Sequence, residues 1–108
     1  MNFNVEATPN FARELKPLVK KYPSLKKEVG ELEKRLQLDP TSGIPLGKNC
    51  YKIRIGIASK GRGKSGGARI ITYVVIDAET VFLVSIYDKS EQGDIDETDL
   101  QNVIKHLP

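Results

Sequence analysis

Lys48, Lys52, Arg54, Lys60, Arg62, Lys64 and Arg69 fall within one stretch of the chain, and no Asp or Glu occurs from Pro40 to Ile76. Cations at that density, without counter-charge, create a field that draws in an anion. The chemistry open to them is recognition of a phosphate and stabilisation of charge developing on its oxygens. Gly61, Gly63, Gly66 and Gly67 interrupt the cations. Lacking a Cβ, they can adopt positive φ and bring backbone N–H groups close to such a ligand. The plainer explanation of a charge run is a solvated hairpin that keeps the protein soluble. Lys52, Arg54 and Arg69, however, sit inside strand-like segments, where solubility does not demand a consistent cationic face. The pattern therefore points to nucleic acid or another phosphate ligand.

Other chemistries find little support. Ala58-Ser-Lys-Gly-Arg-Gly-Lys64-Ser65 meets a loose phosphate-loop pattern, with Ala in place of the first glycine. A working phosphate loop must run into a helix whose N-terminus holds the phosphates, whereas Ser65 is followed by Gly-Gly and a β-branched run. His106 is the only histidine, near the end of the last helical pattern. No Ser-His-Asp, Cys-His or metal-ligand constellation can be assembled, so neither a metal nor a cofactor is expected. Tyr51 lies on the apolar side of its strand and reads as a half-buried aromatic. Tyr73 shares strand parity with Arg69 and could stack on a base, and Tyr87 ends the last strand, from where it could reach the same face.

The elements that must position these residues follow from periodicity. Residues 2–7 alternate polar and apolar and predict a short strand. Thr8 before Pro9 is an N-cap and first-position pair, and Phe11, Leu15, Leu18, Val19 and Tyr22 recur at helical spacing, predicting a helix over 9–21 with Pro17 inside it. Tyr22-Pro23-Ser24 turns the chain into a second helix with its stripe at Leu25, Val29, Leu32 and Leu36, making an αα-hairpin. Gly30 in that helix is expected to mark close packing. Residues 39–47, DPTSGIPLG, read as loop.

In the next strand Tyr51, Ile53, Ile55 and Ile57 alternate with Lys52, Arg54, Gly56 and Ala58, giving one apolar face and one basic, small face. Ala68–Ile76 reads as a central strand, Val81–Tyr87 as the last, and the three form an antiparallel meander. Residues 88–93 read as loop. Asp96 and Ile95 then suggest a capped, stapled start to a short helix carrying Leu100, Val103, Ile104 and Leu107. The order β-α-α-β-β-β-α predicts an α+β fold, with helices on one face of a small, antiparallel-dominated sheet that rests on the helical hairpin.

The 108 residues suit a single domain over residues 1–108. Charge is polarised along it: +2 over residues 1–39, +7 over 40–76 and −6 over 77–108. The acidic third either pairs with the basic centre or lies apart from it. Cys50 has no partner for an internal disulfide, which fits a reducing compartment. The opening MNFNVEATP lacks the basic and apolar regions of a signal peptide, and no apolar run exceeds that of Val81–Val84, so no membrane span is expected.

Three segments together resemble the RelE/ParE toxin superfamily: Cys50-Tyr-Lys52-Ile-Arg54, then Ser59-Lys-Gly-Arg-Gly-Lys-Ser-Gly-Gly-Ala-Arg69-Ile-Ile-Thr-Tyr73, then Ile86-Tyr87-Asp-Lys89-Ser-Glu91. The long glycine-lysine loop is similar to the HigB-type branch. The resemblance implies a type II toxin that cleaves mRNA in the ribosomal A site without a metal, acts in the cytoplasm and is neutralised by a cognate antitoxin protein. It also implies catalytic roles for Lys52, Arg54, Arg69, Tyr87 and Lys89, with Lys48, Lys60, Arg62, Lys64 and Tyr73 holding RNA. Lys52 would serve as base, Arg69 would hold the phosphate and Lys89 would protonate the leaving oxygen. The tyrosine that such toxins place after the last strand falls here near Ile95, so either Tyr87 serves or no tyrosine does. Two alternatives stay open: a ParE-like toxin that binds and inhibits gyrase, and a non-catalytic RNA-binding module.

Overall fold

The computed structural model describes residues 2–61, 66–91, 97–105 and 107. The chain runs β1 (Asn4–Ala7), α1 (Pro9–Lys21), α2 (Leu25–Leu38), β2 (Ile44–Gly47), β3 (Cys50–Ile55), a 3-10 turn at Ala58–Lys60, β4 (Ala68–Val75), β5 (Thr80–Asp88) and α3 (Glu97–Lys105). One five-stranded sheet has the order β1-β5-β4-β3-β2. β5, β4, β3 and β2 form the antiparallel part, and β1 pairs parallel to β5 at the far edge. A parallel neighbour needs a long crossover, and the α1–α2 hairpin with the meander supplies it. Among the described residues no helix is long and apolar enough to cross a membrane.

Thr8 caps α1 as its sequence suggests, its hydroxyl accepting from the Phe11 N–H at 3.1 Å, and α1 continues through Pro17 to Lys21. β2 lies inside the segment read as loop. Pro45 and its flanking glycines mask it in the sequence, yet a proline is tolerated on an edge strand, where one side of the backbone needs no partner. All of its residues are exposed. Gly43, at φ 107°, makes the approach possible, because a Cβ there would lie 2.6 Å from the Lys52 carbonyl oxygen. Gly30 does not mark close packing, since a Cβ added to it would meet nothing within 4 Å.

The hairpin covers one face of the sheet. Phe11, Leu25, Val29, Leu32 and Leu36 bury against Ile53, Ile55, Ile70, Val74, Val81, Leu83 and Ile86. α3 does not join them. Leu100 packs instead with Ile71, Val84 and Tyr87 in a second cluster, flanked by Tyr73, Phe82, Ile104 and Leu107. The helices therefore divide between the two faces, with the short C-terminal helix on the face opposite the hairpin. The expected cap at Asp96 and staple at Ile95 lie outside the described residues.

Candidate functional site

Strand register decides which cations meet. In the β3–β4 ladder Arg54 is the direct partner of Arg69, and in the β4–β5 ladder Arg69 is the direct partner of Tyr87. Partners in a ladder share a face, so Arg54, Arg69 and Tyr87 form a row across three strands, about 10 Å from end to end at ordinary strand spacing. Lys52, two residues before Arg54, shares that face and is paired with Ile71. The row lies on the α3 side of the sheet, away from the hairpin.

Tyr87 joins the row only because β5 is irregular. Ser85 pairs with Ile71 and Leu83 with Thr72, which leaves Val84 as an extra residue. Strict alternation from Val81 and Leu83, both packed against the hairpin, would turn Tyr87 to the hairpin as well. The bulge shifts the parity, so that Ile86 and Asp88 face the hairpin and Tyr87 faces Arg69. Its unpaired edge groups are met from α1. Thr8 Oγ1 donates to the Leu83 and Val84 carbonyls at 3.0 and 3.3 Å, and Asn10 Nδ2 to the Val84 carbonyl at 3.0 Å. Glu14 Oε1 accepts from Ser85 Oγ at 2.8 Å and from the Ile86 N–H at 3.3 Å.

The row is open at one end and covered at the other. β2 pairs with β3 only as far as Lys52, so among the described residues no strand covers the β3 edge at Arg54, and Arg54 is exposed beside a groove shared with Glu28, Leu32 and Arg35 of α2. Arg69 and Tyr87 each retain only 3% of their surface. Arg69 lies in a central strand, as the sequence suggests, with Tyr87 of the second cluster as its cross-strand partner. One guanidinium nitrogen, Nη1, donates to the Ala68 carbonyl at 3.3 Å.

The remaining cations disperse. Lys60 is turned to Asp88. Its Nζ donates to Asp88 Oδ1 and to Ser90 Oγ, each at 2.6 Å, and lies 5.4 Å from the Tyr22 ring centre. Asp88 also takes the Tyr22 hydroxyl at 3.0 Å and the Ser90 N–H at 3.0 Å. Burial raises the pKa of Asp88, but the hydrogen bonds from Lys60, Ser90 and Tyr22 outweigh it and hold the carboxyl at about 2. Residue 88 is thus the last of β5 and buried, where the sequence suggests the start of a loop.

Lys89 follows directly, its N–H bonded to the Gly67 carbonyl at 3.0 Å. Lys48 sits in the β2–β3 turn at φ 53°, at the end of the sheet away from Lys89. Tyr73 is four residues, about 13 Å, along β4 from Arg69, and its ring stacks on Phe82 with centres 6.5 Å apart. Tyr51 packs at the margin of the hairpin core. Arg62, Lys64, Gly63 and His106 lie outside the described residues.

Part of the acidic C-terminal third pairs with cations, through Lys60–Asp88 and Lys21–Glu91. Sequence reading missed Asp88, Tyr22, Asn10 and Glu14. An acid between two site candidates, Tyr87 and Lys89, was the available signal for the first of these. The others depend on a bulge that no residue pattern announces. Cys50 is 1% exposed, and burial pushes its thiol up to about 11.

Residues 7–107 match the family described as the RelE toxin of the RelE/RelB toxin–antitoxin system. The chain belongs to the RelE toxin family. Membership carries an antitoxin partner with it. The fold is also that of solved RelE structures. An arginine-to-alanine double mutant of E. coli toxin RelE in the free state is similar with a TM-score of 0.65 at 17% identity, each chain covered in full (100%). The isolated E. coli RelE toxin is similar with a TM-score of 0.53 at 19% identity, over 97% of this chain and 99% of that one. This RelE-family toxin therefore presents the Arg54–Arg69–Tyr87 row on a fold shared with RelE.

Proposed function

We propose that this toxin is a ribosome-dependent mRNA endonuclease that inhibits translation in the cytoplasm. The observation that carries the reading is the row Arg54–Arg69–Tyr87, two guanidinium groups and a phenol set side by side by strand register. In this reading, message in the ribosomal A site lies across the row from its open Arg54 end. A ribose 2′-oxygen attacks the adjacent phosphorus, the bond to the next 5′-oxygen breaks, and a 2′,3′-cyclic phosphate forms. Arg69 stabilises the charge developing on the phosphate oxygens. Lys52 takes the 2′-hydroxyl proton, Lys89 returns a proton to the leaving 5′-oxygen, and Tyr87 adds a phenolic group beside Arg69. Lys48, Arg62 and Lys64 serve the RNA backbone beyond the row; Lys60, committed to Asp88, does not.

A row of cations repels a metal ion and itself supplies the positive charge a metal would bring. The reading is accordingly metal-independent, with a chelator leaving cleavage unchanged. The glycine-lysine loop from Ser59 to Gly67 supports placing the toxin in the HigB-type branch. Mapping of mRNA 5′ ends on programmed ribosomes tests the proposal, alongside Arg69→Ala and a ribosome-free control. New ends that require both the ribosome and Arg69 support it, and their absence with folded protein overturns it. The burial of Arg69 and Tyr87 favours the alternative of a non-cleaving toxin, ParE-like on gyrase or binding RNA only. Inhibited supercoiling with intact message, or salt-sensitive RNA binding without chemistry, would identify it.

A further inference from the structure

The bulge in β5 is mounted on the first two turns of α1, and the mount bears on which way Tyr87 points. Three side chains serve it. Thr8 and Asn10 donate to the carbonyls of Leu83 and Val84. Glu14 alone reaches past the extra residue: its Oε1 accepts from Ser85 Oγ at 2.8 Å, from the Ile86 N–H at 3.3 Å and from Asn10 Nδ2 at 3.0 Å. β1 pairs with β5 only from Thr80 to Leu83. Beyond that point no strand among the described residues lies on this edge, and the Ile86 N–H is met by a carboxylate where a neighbouring backbone would ordinarily stand.

A bulge gives up regular ladder bonding, and it persists where the surrounding structure over-determines it. The alternative is close at hand. Sliding the end of β5 by one residue would restore strict alternation and turn Tyr87 towards the hairpin, away from Arg69, since a one-residue slip exchanges the two faces. Asp88 resists that slip from the hairpin side through Lys60 and Tyr22, and Glu14 resists it from the strand edge.

We propose that Glu14 is a positioning residue for the RNA-cleavage site, holding the Val84–Ser85 bulge in the register that sets Tyr87 beside Arg69. Glu14 touches no substrate in this role; it acts through Ser85 and Ile86 on the residue that follows them. The rate arm of the test rests on the endonuclease reading, and the exchange arm does not.

The experiment compares wild type, Glu14→Ala and Glu14→Gln. Single-turnover cleavage of mRNA on programmed ribosomes is followed across toxin concentration, and amide hydrogen exchange is followed at Ile86, Tyr87 and Lys89. Glu14→Ala lowers the saturating rate by about 10- to 100-fold, the scale expected from a displaced catalytic group. Its half-saturating concentration stays within about threefold, because binding groups are untouched. Glu14→Gln keeps an acceptor oxygen and retains the rate. Exchange at Ile86 quickens in Glu14→Ala while the β3–β4 ladder stays protected, and glutamine restores it.

An unchanged saturating rate in Glu14→Ala overturns the proposal, as does a loss confined to half-saturation, which would make Glu14 a binding residue. Equal loss in Glu14→Gln and Glu14→Ala overturns it too, because charge rather than the acceptor would then matter. Should Glu14→Ala not fold, Ser85→Ala, which removes one Glu14 partner and leaves the Asn10 bond to the Val84 carbonyl in place, is read the same way. If wild type does not cleave, the endonuclease reading fails, and unchanged exchange at Ile86 separately overturns the positioning role.

Discussion

Arg69 and Tyr87 are direct cross-strand partners on the face of the sheet opposite the helical hairpin, and both are almost wholly buried. Arg54 continues the same row but is exposed. The two arginines should separate in kinetics. Arg69→Ala removes a group placed to meet charge that grows in the transition state, so the saturating rate falls by about 100- to 1000-fold. Arg54→Ala removes a solvent-facing contact; it raises the half-saturating concentration and lowers the salt dependence of binding by about one ion, with a smaller effect on rate. Cleavage titrations at several salt concentrations check this, and a rate loss in Arg54→Ala as deep as in Arg69→Ala would contradict the division.

Two glycines should respond to alanine in opposite directions. Gly30 lies inside α2 with open space around it, so Gly30→Ala gains helix propensity and stabilises by about 1 kcal/mol. Gly67 packs against β3, where an added Cβ would lie 2.0 Å from the Ile55 carbonyl oxygen and 3.0 Å from the Gly56 Cα. Neither contact is with a flexible side chain, so Gly67→Ala destabilises by several kcal/mol or displaces the connection into β4, on the scale of overpacked sites. Urea midpoints of the two variants decide it.

Much of this fold is legible in the sequence because its signals are local. Thr8-Pro9 marks the start of α1 to the residue, and the alternation around Ile53 and Ile55 separates the two faces of β3. What is not legible depends on partners far along the chain. Gly67 reads as a phosphate-approach glycine, yet its role is contact with Ile55. Lys60 reads as one more ligand cation, but Asp88, 28 residues away, claims its ammonium. Tyr87, at the end of β5, could reach the Arg69 face, although simple alternation along β5 argues the contrary; the bulge is what turns it there. Pro45 hides β2, since edge pairing is the one sheet setting in which a proline costs little.

Thr72 lies in β4 with no exposed surface, and its hydroxyl has no hydrogen-bond partner among the described residues. A buried hydroxyl without a partner carries its desolvation cost uncompensated. Valine has the same branched shape without the oxygen. Thr72→Val therefore raises stability by about 1–2 kcal/mol and, because Thr72 lies on the hairpin face, leaves cleavage unchanged. Thermal melts with parallel cleavage rates measure both; a destabilised variant would show that the hydroxyl has a partner after all.

Asp88 makes stability depend on pH in a definite direction. Its carboxyl, buried against Lys60, Ser90 and Tyr22, is held at about 2 from an ordinary value of 3.8. The folded state therefore prefers the ionised form more strongly than the unfolded chain does. The associated stability is present in full above pH ~4 and is lost as pH falls from there towards 2, amounting to roughly 2 kcal/mol. Asp88→Asn removes this dependence, and its urea midpoint should decline less than that of wild type between pH 4 and 2. Lys60→Met leaves the carboxylate buried without its cation, and breaking a buried pair from one side costs about 3–5 kcal/mol at neutral pH. Part of that loss should be recovered on acidification, because a protonated Asp88 no longer needs the ammonium. Urea unfolding of the three proteins from pH 2 to 7 measures each slope, and parallel slopes in wild type and Asp88→Asn would remove Asp88 as the source.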